Sequence, residues 1–331
     1  MKLRSAEEFV SEILKGNRLA LAKAITLIES ERAEDQKVSS GILKELIPRS
    51  GASIRLGITG VPGAGKSTFI EALGCHLTDN NHNVAVLAID PSSTISGGSL
   101  LADKTRMEKL SVSPRAFIRP SPSSSHLGGV ARKTRETMIL CEAAGFDVVL
   151  LETVGVGQSE IAAASMVDFF LVLMLPNAGD EIQGIKKGVI ELADAIIINK
   201  ADGNNVEKAL MAREIYKNAL LILTPASLDW RPPVLTCSAL EGRGMDEIWK
   251  TVVDHQVLFK KTGELLRKRR EQDISWMWSL LEGHLRCYIF SMPSVKKAAD
   301  DAKKAVLDGV LTPDAAAVQI LNTIIKAIGP A

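Results

Sequence analysis

The segment GVPGAGKST, residues 60–68, constrains the fold more than any other part of the chain because it fits the pattern G-x-x-x-x-G-K-[ST]. It follows the apolar run IRLGIT and opens the helical pattern STFIEALGCHL. A strand, a glycine-rich loop and a helix in this order form a cradle in which backbone N–H groups and the helix N-terminus face phosphate oxygens. The segment therefore predicts a P-loop within an α/β sheet.

The residue types of this loop suit phosphate chemistry. Gly63 and Gly65 let the backbone turn its N–H groups inward. Lys66 is expected to place its charge on the β- and γ-phosphates, and Ser67 to offer a hydroxyl to Mg²⁺. A chance glycine-rich turn is disfavoured by the order of strand, loop and helix. The predicted nucleotide contacts are Gly60, Val61, Pro62, Gly63, Ala64, Gly65, Lys66, Ser67 and Thr68.

Short apolar runs alternate with helical patterns along the middle of the chain. Such runs are typical of strands that are buried on both faces, so we predict a mostly parallel sheet flanked by helices. The runs are IRLGITG (54–60), NVAVLAID (83–90), FDVVLLETVG (146–155), DFFLVLMLP (168–176), DAIIINKAD (194–202) and PVLTCSAL (233–240). We predict an N-terminal helical extension over 1–50, a P-loop domain over 51–260 and a C-terminal helical arm over 261–331.

The two ends of the chain show helical signals. Ser5 and Glu8 fit a capping box, and a second helix is predicted over 18–34. The pattern over 245–290 is long for one helix, with a break at Gly263 or Gly283. A last helix is predicted after Thr312 as N-cap, with proline at its first turn.

Four aromatic residues lie in the predicted C-terminal arm: Trp276, Trp278, Tyr288 and Phe290. Core packing between helices is one interpretation of this cluster. A protein interface is the other, because buried aromatic side chains anchor such contacts.

The composition of the chain narrows its partners and its compartment. Its 40 basic and 39 acidic side chains nearly cancel, whereas nucleic-acid binding usually requires a basic excess, so no nucleic-acid partner is expected. The most apolar stretch, MVDFFLVLMLP, is shorter than the roughly 20 residues that span a bilayer, so no membrane partner is expected. The four cysteines form no C-x-x-C pair, and no signal-peptide pattern is present. We expect a cytoplasmic protein.

The predicted strand DAIIINKAD ends in a second nucleotide motif, N-K-x-D. The Asp202 carboxylate could accept hydrogen bonds from guanine N1–H and the exocyclic amine, whereas adenine would leave it unpaired. Lys200 could lie along the base, and Asn199 could brace the loop. The next strand ends in Ser238-Ala239-Leu240, which would supply a backbone N–H to guanine O6 or simply end a strand. Together with the P-loop, these motifs predict binding of GTP and GDP.

Carboxylates at strand ends are candidate ligands of Mg²⁺, which prefers octahedral oxygen coordination. Glu152 ends one buried run, where a carboxylate is costly unless it serves a cation or hydrogen bonds. Asp90 ends another. Asp103 is either a ligand or a structural residue of its loop. The predicted metal ligands are therefore Ser67, Asp90, Asp103 and Glu152.

The segment ETVGVGQSE, residues 152–160, is expected to respond to the γ-phosphate through the N–H group of Gly155. Val156 cannot orient a water molecule for hydrolysis. Turnover would then be slow, would use Gln158, Asp180 or Lys186, or would wait for a partner that supplies charge. The predicted catalytic residues are Lys66, Glu152, Asp180 and Lys186.

Five segments together resemble the MeaB/ArgK family of G-protein chaperones: GVPGAGKST, AIDPSSTISGGSLLADKTRM, ETVGVGQSE, LPNAGDEIQGIKKG and INKAD. The resemblance covers nearly the whole chain. It implies a GTPase that assists adenosylcobalamin-dependent methylmalonyl-CoA mutase in cofactor loading, protection or reactivation. It also implies a homodimer formed through the C-terminal arm, metal ligation by the four residues named above, and a further switch at 177–188 in which Lys186 acts when the partner docks.

Three other functions compete with this interpretation. A P-loop kinase that phosphorylates a small molecule or a transport component is disfavoured by N-K-x-D, because most such kinases use ATP. A nickel-insertion GTPase would favour a tract rich in His or Cys, whereas the five histidines here are scattered. A pure scaffold would not need Lys66, Ser67 and strand-end carboxylates in one place.

Overall fold

The computed structural model describes residues 5–89, 107–119, 127–153, 158–176, 187–222 and 229–329. The chain divides into two compact units, Met1–Gln272 and Asp273–Ala331. The three-part division of the sequence stays a prediction. Of the helices within the described ranges, none combines the length and the apolar character needed to cross a membrane.

The first unit is built on a parallel sheet, in which seven strands are described. Their order across the sheet is β3-β2-β4-β1-β5-β6-β7, and every neighbouring pair is parallel. The strands are β1 (Ile54–Gly60), β2 (Val84–Ile89), β3 (Ala116–Arg119), β4 (Val148–Thr153), β5 (Phe169–Met174), β6 (Ala195–Ile198) and β7 (Val234–Thr236). The predicted fold class is confirmed, and six strands occupy the predicted apolar runs.

Strand β3 was not predicted from the sequence. It has only four residues and lies at the edge of the sheet beside β2. Its last residue, Arg119, forms an ion pair with Glu29 of the N-terminal helices. A short edge strand with one polar end lacks the continuous apolar run that marks the central strands.

Helices cover both faces of the sheet. The described helices of the first unit are α1 (Ala6–Leu14), α2 (Arg18–Glu29), α3 (Ala33–Leu46), α4 (Lys66–Asp79), α5 (Glu108–Ser111), α6 (Leu127–Ala143), α7 (Gln158–Ala164), α8 (Lys187–Glu191), α9 (Val206–Ile222) and α10 (Met245–Thr262). Alternate residues of each central strand enter opposite cores: Val149 and Leu151 of β4 join the cluster that includes α1–α3, whereas Val148 and Leu150 join the cluster that includes α4 and α10. This alternation follows from the two-residue period of a strand.

The N-terminal helices correct one prediction. Ser5 caps α1 as predicted, since its hydroxyl accepts a hydrogen bond from the N–H of Glu8. The predicted second helix over 18–34 is wrong in its C-terminal part, because α2 ends at Glu29 and α3 begins at Ala33. Ser30 adopts an extended backbone, and its hydroxyl donates to Asp35 at 2.6 Å. This local hydrogen bond offers the chain an alternative to continued helix.

The amino edge of the sheet carries a network of buried charges. Asp168, directly before β5, is fully buried and accepts two hydrogen bonds of 2.7 Å from the Arg269 guanidinium. Asp194, directly before β6, lies 3.4 Å from the Lys268 ammonium. Arg55 of β1 donates to Glu142 at 2.7 Å. These pairs attach the helices around the sheet to its amino edge.

The C-terminal helices are α11 (Glu264–Ser291), α12 (Pro293–Leu307) and α13 (Pro313–Ile328). Gly263, with a φ of 80°, separates α10 from α11, and the helix runs on through Gly283. Thr312 caps α13 as predicted. Trp278 and Tyr288 are 56% and 63% exposed, so these two side chains do not pack in the core of this chain.

Candidate nucleotide-binding site

The P-loop lies between β1 and α4, as the motif requires. Gly65 directly precedes α4 with a φ of 82°, a conformation that glycine adopts without a Cβ penalty. A Cβ at this position would lie 2.9 Å from the amide nitrogen of Asn199. Two features, the left-handed backbone and the close approach of Asn199, therefore require glycine here.

Lys66 begins α4, and its side chain turns back over the loop. Its ammonium donates to the carbonyl of Gly60 at 2.9 Å and to that of Val61 at 3.4 Å. Burial lowers the pKa of Lys66, while the negative charges of Glu152 and Glu160 oppose this shift. The structure thus holds a cation at the mouth of the cradle, with two carboxylates in its electrostatic environment.

Ser67 and Glu152 come together from different elements. The Ser67 hydroxyl donates to the Glu152 carboxylate at 3.1 Å. Strand β4 is held in register with β1, where Ile58 pairs with Glu152, and the buried hydroxyls of Thr153 and Thr59 hydrogen-bond at 2.7 Å. A hydroxyl beside a carboxylate is a pair of hard oxygen donors of the type that Mg²⁺ prefers. These two residues therefore fit the predicted metal.

The other predicted ligands, Asp90 and Asp103, lie outside the described residues. Within the described ranges, no group of three or more His, Cys, Asp or Glu side chains is placed to hold a metal ion.

Asn199 connects the P-loop with the loops that follow β6 and β7. Its amide nitrogen donates to the carbonyl of Ala64 at 2.8 Å. Its amide oxygen accepts hydrogen bonds from the N–H of Ala239 at 3.0 Å and from the Cys237 thiol at 3.4 Å. One buried side chain therefore sets the spacing between the phosphate cradle and the predicted base-reading loops.

Asp202 and Ser238 form the second polar pair of the site. The Ser238 hydroxyl donates to the Asp202 carboxylate at 2.6 Å and accepts from the N–H of Glu241 at 3.2 Å. Lys200 has a φ of 60°, a left-handed conformation that is uncommon outside glycine. Such backbone conformations persist where the surrounding structure constrains them, often at ligand sites.

Several residues of the predicted site lie outside the described ranges. They are Asp90, Asp103, Gly155, Val156, Asp180 and Lys186. Gln158 begins helix α7. Leu240, two residues after Ser238 in the sequence, is 81% exposed.

Two contributors to the site were missed in the sequence. Cys237 donates a hydrogen bond to Asn199. Its position directly before Ser238 could have indicated that it contributes to the site. Arg243 donates to the carbonyl of Ala201 at 2.8 Å. No local pattern marks that contact.

This geometry defines a class of protein. A P-loop at the carboxyl edge of a parallel sheet, joined through Asn199 to an N-K-x-D loop, is the arrangement of P-loop nucleoside triphosphatases. The sequence model of one family, described as methylmalonyl Co-A mutase-associated GTPase MeaB, matches residues 21–293. The chain belongs to this family, and the resemblance seen in its motifs is confirmed.

Individual relatives agree with this assignment. The GTPase ArgK of Escherichia coli (strain K12) is 46% identical over 306 residues, 92% of each chain. The Mus musculus protein named methylmalonic aciduria type A homolog, mitochondrial, is 43% identical over 329 residues, 96% of this chain and 79% of the mouse protein. A crystal structure of a protein named LAO/AO transport system kinase matches at a TM-score of 0.76 and 40% identity, covering 98% of this chain and 99% of the other.

Proposed function

We propose that this protein is a GTP-binding and GTP-hydrolysing switch that assists adenosylcobalamin-dependent methylmalonyl-CoA mutase in cofactor loading, protection or reactivation. The observation that carries the nucleotide part is the bridge by Asn199 between Ala64 of the P-loop and Ala239 beyond β7. The mutase part is supported by the description of the family as mutase-associated.

Guanine recognition is assigned to the loops that follow β6 and β7. The Asp202 carboxylate is oriented by the Ser238 hydroxyl at 2.6 Å and would accept from guanine N1–H and the exocyclic amine. The N–H of Ala239 already donates to Asn199, so a contact from this loop to guanine O6 would involve a neighbouring N–H group. Adenine offers no matching donor pair to a carboxylate, so this pocket favours GTP over ATP.

Lys66, Ser67 and Glu152 are the described residues assigned to the phosphates and the metal, with Asp90 and Asp103 as further proposed ligands. When bound, Mg²⁺ would supply positive charge next to the phosphate oxygens. Lys66 needs only to turn from the carbonyls of Gly60 and Val61 to meet an anionic ligand, because its ammonium is already at the mouth of the loop.

Hydrolysis is proposed to be slow in the isolated protein and faster when the mutase is bound. Val156 has no group that orients water, so Gln158, Asp180 or Lys186 would have to act, or the partner would have to complete the site. A positive charge supplied late can raise the rate of phosphoryl transfer by roughly 10³- to 10⁵-fold.

The C-terminal unit is proposed to mediate a homodimer. Large apolar side chains on α11 and α13 are exposed in the single chain, among them Trp278, Tyr288, Leu321 and Ile325. Exposed apolar surface of this kind is typical of a protein interface. Light scattering of the purified protein would show twice the monomer mass if the proposal is correct.

The deciding experiment measures phosphate release from GTP by the purified protein, with and without a methylmalonyl-CoA mutase from the same organism, with ATP as the control nucleotide. We expect slow GTP turnover that rises with the mutase and is lost in Lys66→Ala. Turnover that is indifferent to the mutase would remove the proposed partner while keeping the GTPase.

A kinase is the second candidate, because the protein with a TM-score of 0.76 to this chain is named a transport system kinase. Transfer of phosphate from ATP to an acceptor, rather than release from GTP, would support it. The Asp202–Ser238 pair favours the GTPase.

A further inference from the structure

The loop after β7 is closed by a small antiparallel bridge between Ser238 and Arg243. The N–H of each residue donates to the carbonyl of the other, at 3.1 and 3.0 Å. Gly244 follows with a φ of 90°, and a Cβ there would lie 2.9 Å from the carbonyl oxygen of Thr236. The position of the Arg243 backbone is therefore tied to that of Ser238, the residue that orients Asp202.

The Arg243 side chain extends from this bridge to the neighbouring loop. Its Nη2 donates to the carbonyl of Ala201 at 2.8 Å and to the Glu241 carboxylate at 2.6 Å. Ala201 is buried, and its own N–H donates to the carbonyl of Cys237 at 2.9 Å. Both peptide groups of Ala201 are thus held by the loop that follows β7.

The Ala201 carbonyl belongs to the peptide plane that contains the nitrogen of Asp202. Because this plane is rigid, a hydrogen bond to its oxygen restricts the direction in which the Asp202 Cα and side chain leave it. Such restraint is needed in this loop, because Lys200 is held in a left-handed conformation that is unfavourable for a residue with a Cβ.

We infer that Arg243 is a positioning residue for guanine selectivity: it aligns the Asp202 carboxylate by fixing the Ala201–Asp202 peptide against the Ser238 loop. The inference rests on the proposed function, because it concerns the base pocket of the proposed GTPase. The hydrogen bonds of the Arg243 side chain go to Ala201 and Glu241 and not to Lys66, Ser67 or Glu152, the described residues assigned to the phosphates and the metal. Its effect is therefore expected on base discrimination.

The expected effect is moderate, because the Arg243 side chain is 56% exposed. A charge-assisted hydrogen bond at such a position is partly screened by water. We expect Arg243→Ala to lower the ratio of the dissociation constants for IDP and GDP by about three- to tenfold. IDP is the informative probe, because hypoxanthine lacks the exocyclic amine that Asp202 is proposed to accept from.

The test is calorimetric titration of the full-length protein with GDP and with IDP, alongside steady-state GTP turnover. Arg243→Ala is expected to raise KM with little change in kcat. Arg243→Lys is expected to retain part of the selectivity, since a lysine can still donate to the Ala201 carbonyl. Arg213→Ala is the matched control: it also removes an arginine paired with a neighbouring glutamate, at 3.1 Å from Glu214 on α9. Its IDP to GDP ratio should equal that of the unmodified protein.

A double variant sharpens the test. If Arg243 acts through Asp202, then Arg243→Ala should lower the IDP to GDP ratio in the natural background and leave it unchanged once Asp202→Asn is present. Equal reductions in both backgrounds would overturn the inference.

The outcomes separate the two proposals. Unmodified protein that fails to bind GDP would overturn the proposed function and this inference together. Normal GDP binding, with an IDP to GDP ratio in Arg243→Ala equal to that of the control, would overturn the inference alone. Equal losses of affinity for both nucleotides would do the same, because they would show a general structural role.

Discussion

The two edges of the sheet both carry acidic side chains, yet they use them differently. At the amino edge, Asp168 and Asp194 come directly before β5 and β6 and face the cations Arg269 and Lys268. At the carboxyl edge, Glu152 is the penultimate residue of β4 and Asp202 follows β6 by a few residues. Each accepts a hydrogen bond from a serine hydroxyl.

This difference shows what the position of a carboxylate relative to its strand indicates. An ion pair with a guanidinium from the same chain already compensates the Asp168 charge and serves the fold. A hydroxyl orients a carboxylate without neutralising it, so the two serines leave these carboxylates able to face a cation or donor groups of a ligand. We therefore expect acidic residues at the amino ends of the strands to contribute to the stability of the fold. Acidic residues at the carboxyl ends are expected to contribute to ligand binding.

The largest expected effect of a substitution is a loss of stability at the amino edge. Asp168→Ala removes both 2.7 Å hydrogen bonds from Arg269 and the acceptor of the Arg55 N–H at 2.9 Å. Breaking a buried pair leaves an uncompensated charge, and we expect a loss of about 3–5 kcal/mol in the free energy of unfolding. Urea denaturation would measure it.

Asp168→Ala is expected to leave nucleotide binding intact. GDP affinity of the folded protein should be nearly unchanged, since the nucleotide site is at the other edge of the sheet. Glu271→Gln, which breaks a pair whose side chains are 61% and 58% exposed, is the control and should cost less than about 0.5 kcal/mol. A similarly small loss for Asp168→Ala would contradict the structural role of the amino edge.

At the carboxyl edge, a substitution is expected to change nucleotide binding rather than stability. Asp202→Asn should weaken GTP binding by about 100-fold, because the charged acceptor of two hydrogen bonds is lost. It should also favour xanthine nucleotides, whose base offers a carbonyl where guanine offers an amine. Titration with GDP and XDP would test this, with the exposed Asp254→Asn as a control for charge. Unchanged preference for GDP would remove Asp202 from the base pocket.

Much of this arrangement could be predicted from the sequence. The observed bounds of β1, Ile54–Gly60, equal the predicted apolar run. The approach of Ser67 to Glu152 could be anticipated, because parallel strands end at the same edge and the P-loop helix begins there. A continuous apolar run thus predicts the position of a strand well where the strand is buried on both faces.

Contacts that depend on distant parts of the chain could not be predicted. Arg243 reaches Ala201 across 42 positions, and nothing in the local sequence distinguishes it from a solvated arginine. The interruption between α2 and α3 is local and lies within a continuous helical pattern; there the Ser30 hydroxyl donates to Asp35. Asp90, Asp103, Gly155, Asp180 and Lys186 remain predictions.

A smaller effect is expected from Ser67→Ala. The change removes the hydroxyl that donates to Glu152 and is proposed to bind Mg²⁺. We expect GTP affinity in the presence of Mg²⁺ to fall about tenfold, whereas GDP affinity in chelator should hardly change. Ser111→Ala, which removes an exposed hydroxyl from α5, is the control. Equal losses with and without Mg²⁺ would argue against a metal role for Ser67.

The last prediction concerns the pH dependence of stability through His255 of α10, a second test of the amino edge. The imidazole is fully buried among Phe169, Trp230 and Phe259, and its ring nitrogens have no hydrogen-bond partner among the described residues. Burial lowers the pKa of His255 to about 3; Lys268 adds to this shift, and Asp168 opposes it.

Because the folded pKa of His255 lies below the unfolded value near 6.5, the unfolded state binds more protons as the pH falls between these values. The stability from this residue is therefore complete above about pH 6.5 and is lost as the pH falls toward 3, by about 2 kcal/mol at pH 5. Asp194, whose Oδ1 lies 3.9 Å from the imidazole, has a pKa raised by burial, so its own titration acts in the opposite direction. Urea unfolding of the natural protein and of His255→Leu from pH 7 to 5 isolates the histidine, since Asp194 is common to both. The variant should lose less stability over this range, and parallel curves would show that the buried imidazole does not contribute to the acid sensitivity of the amino edge.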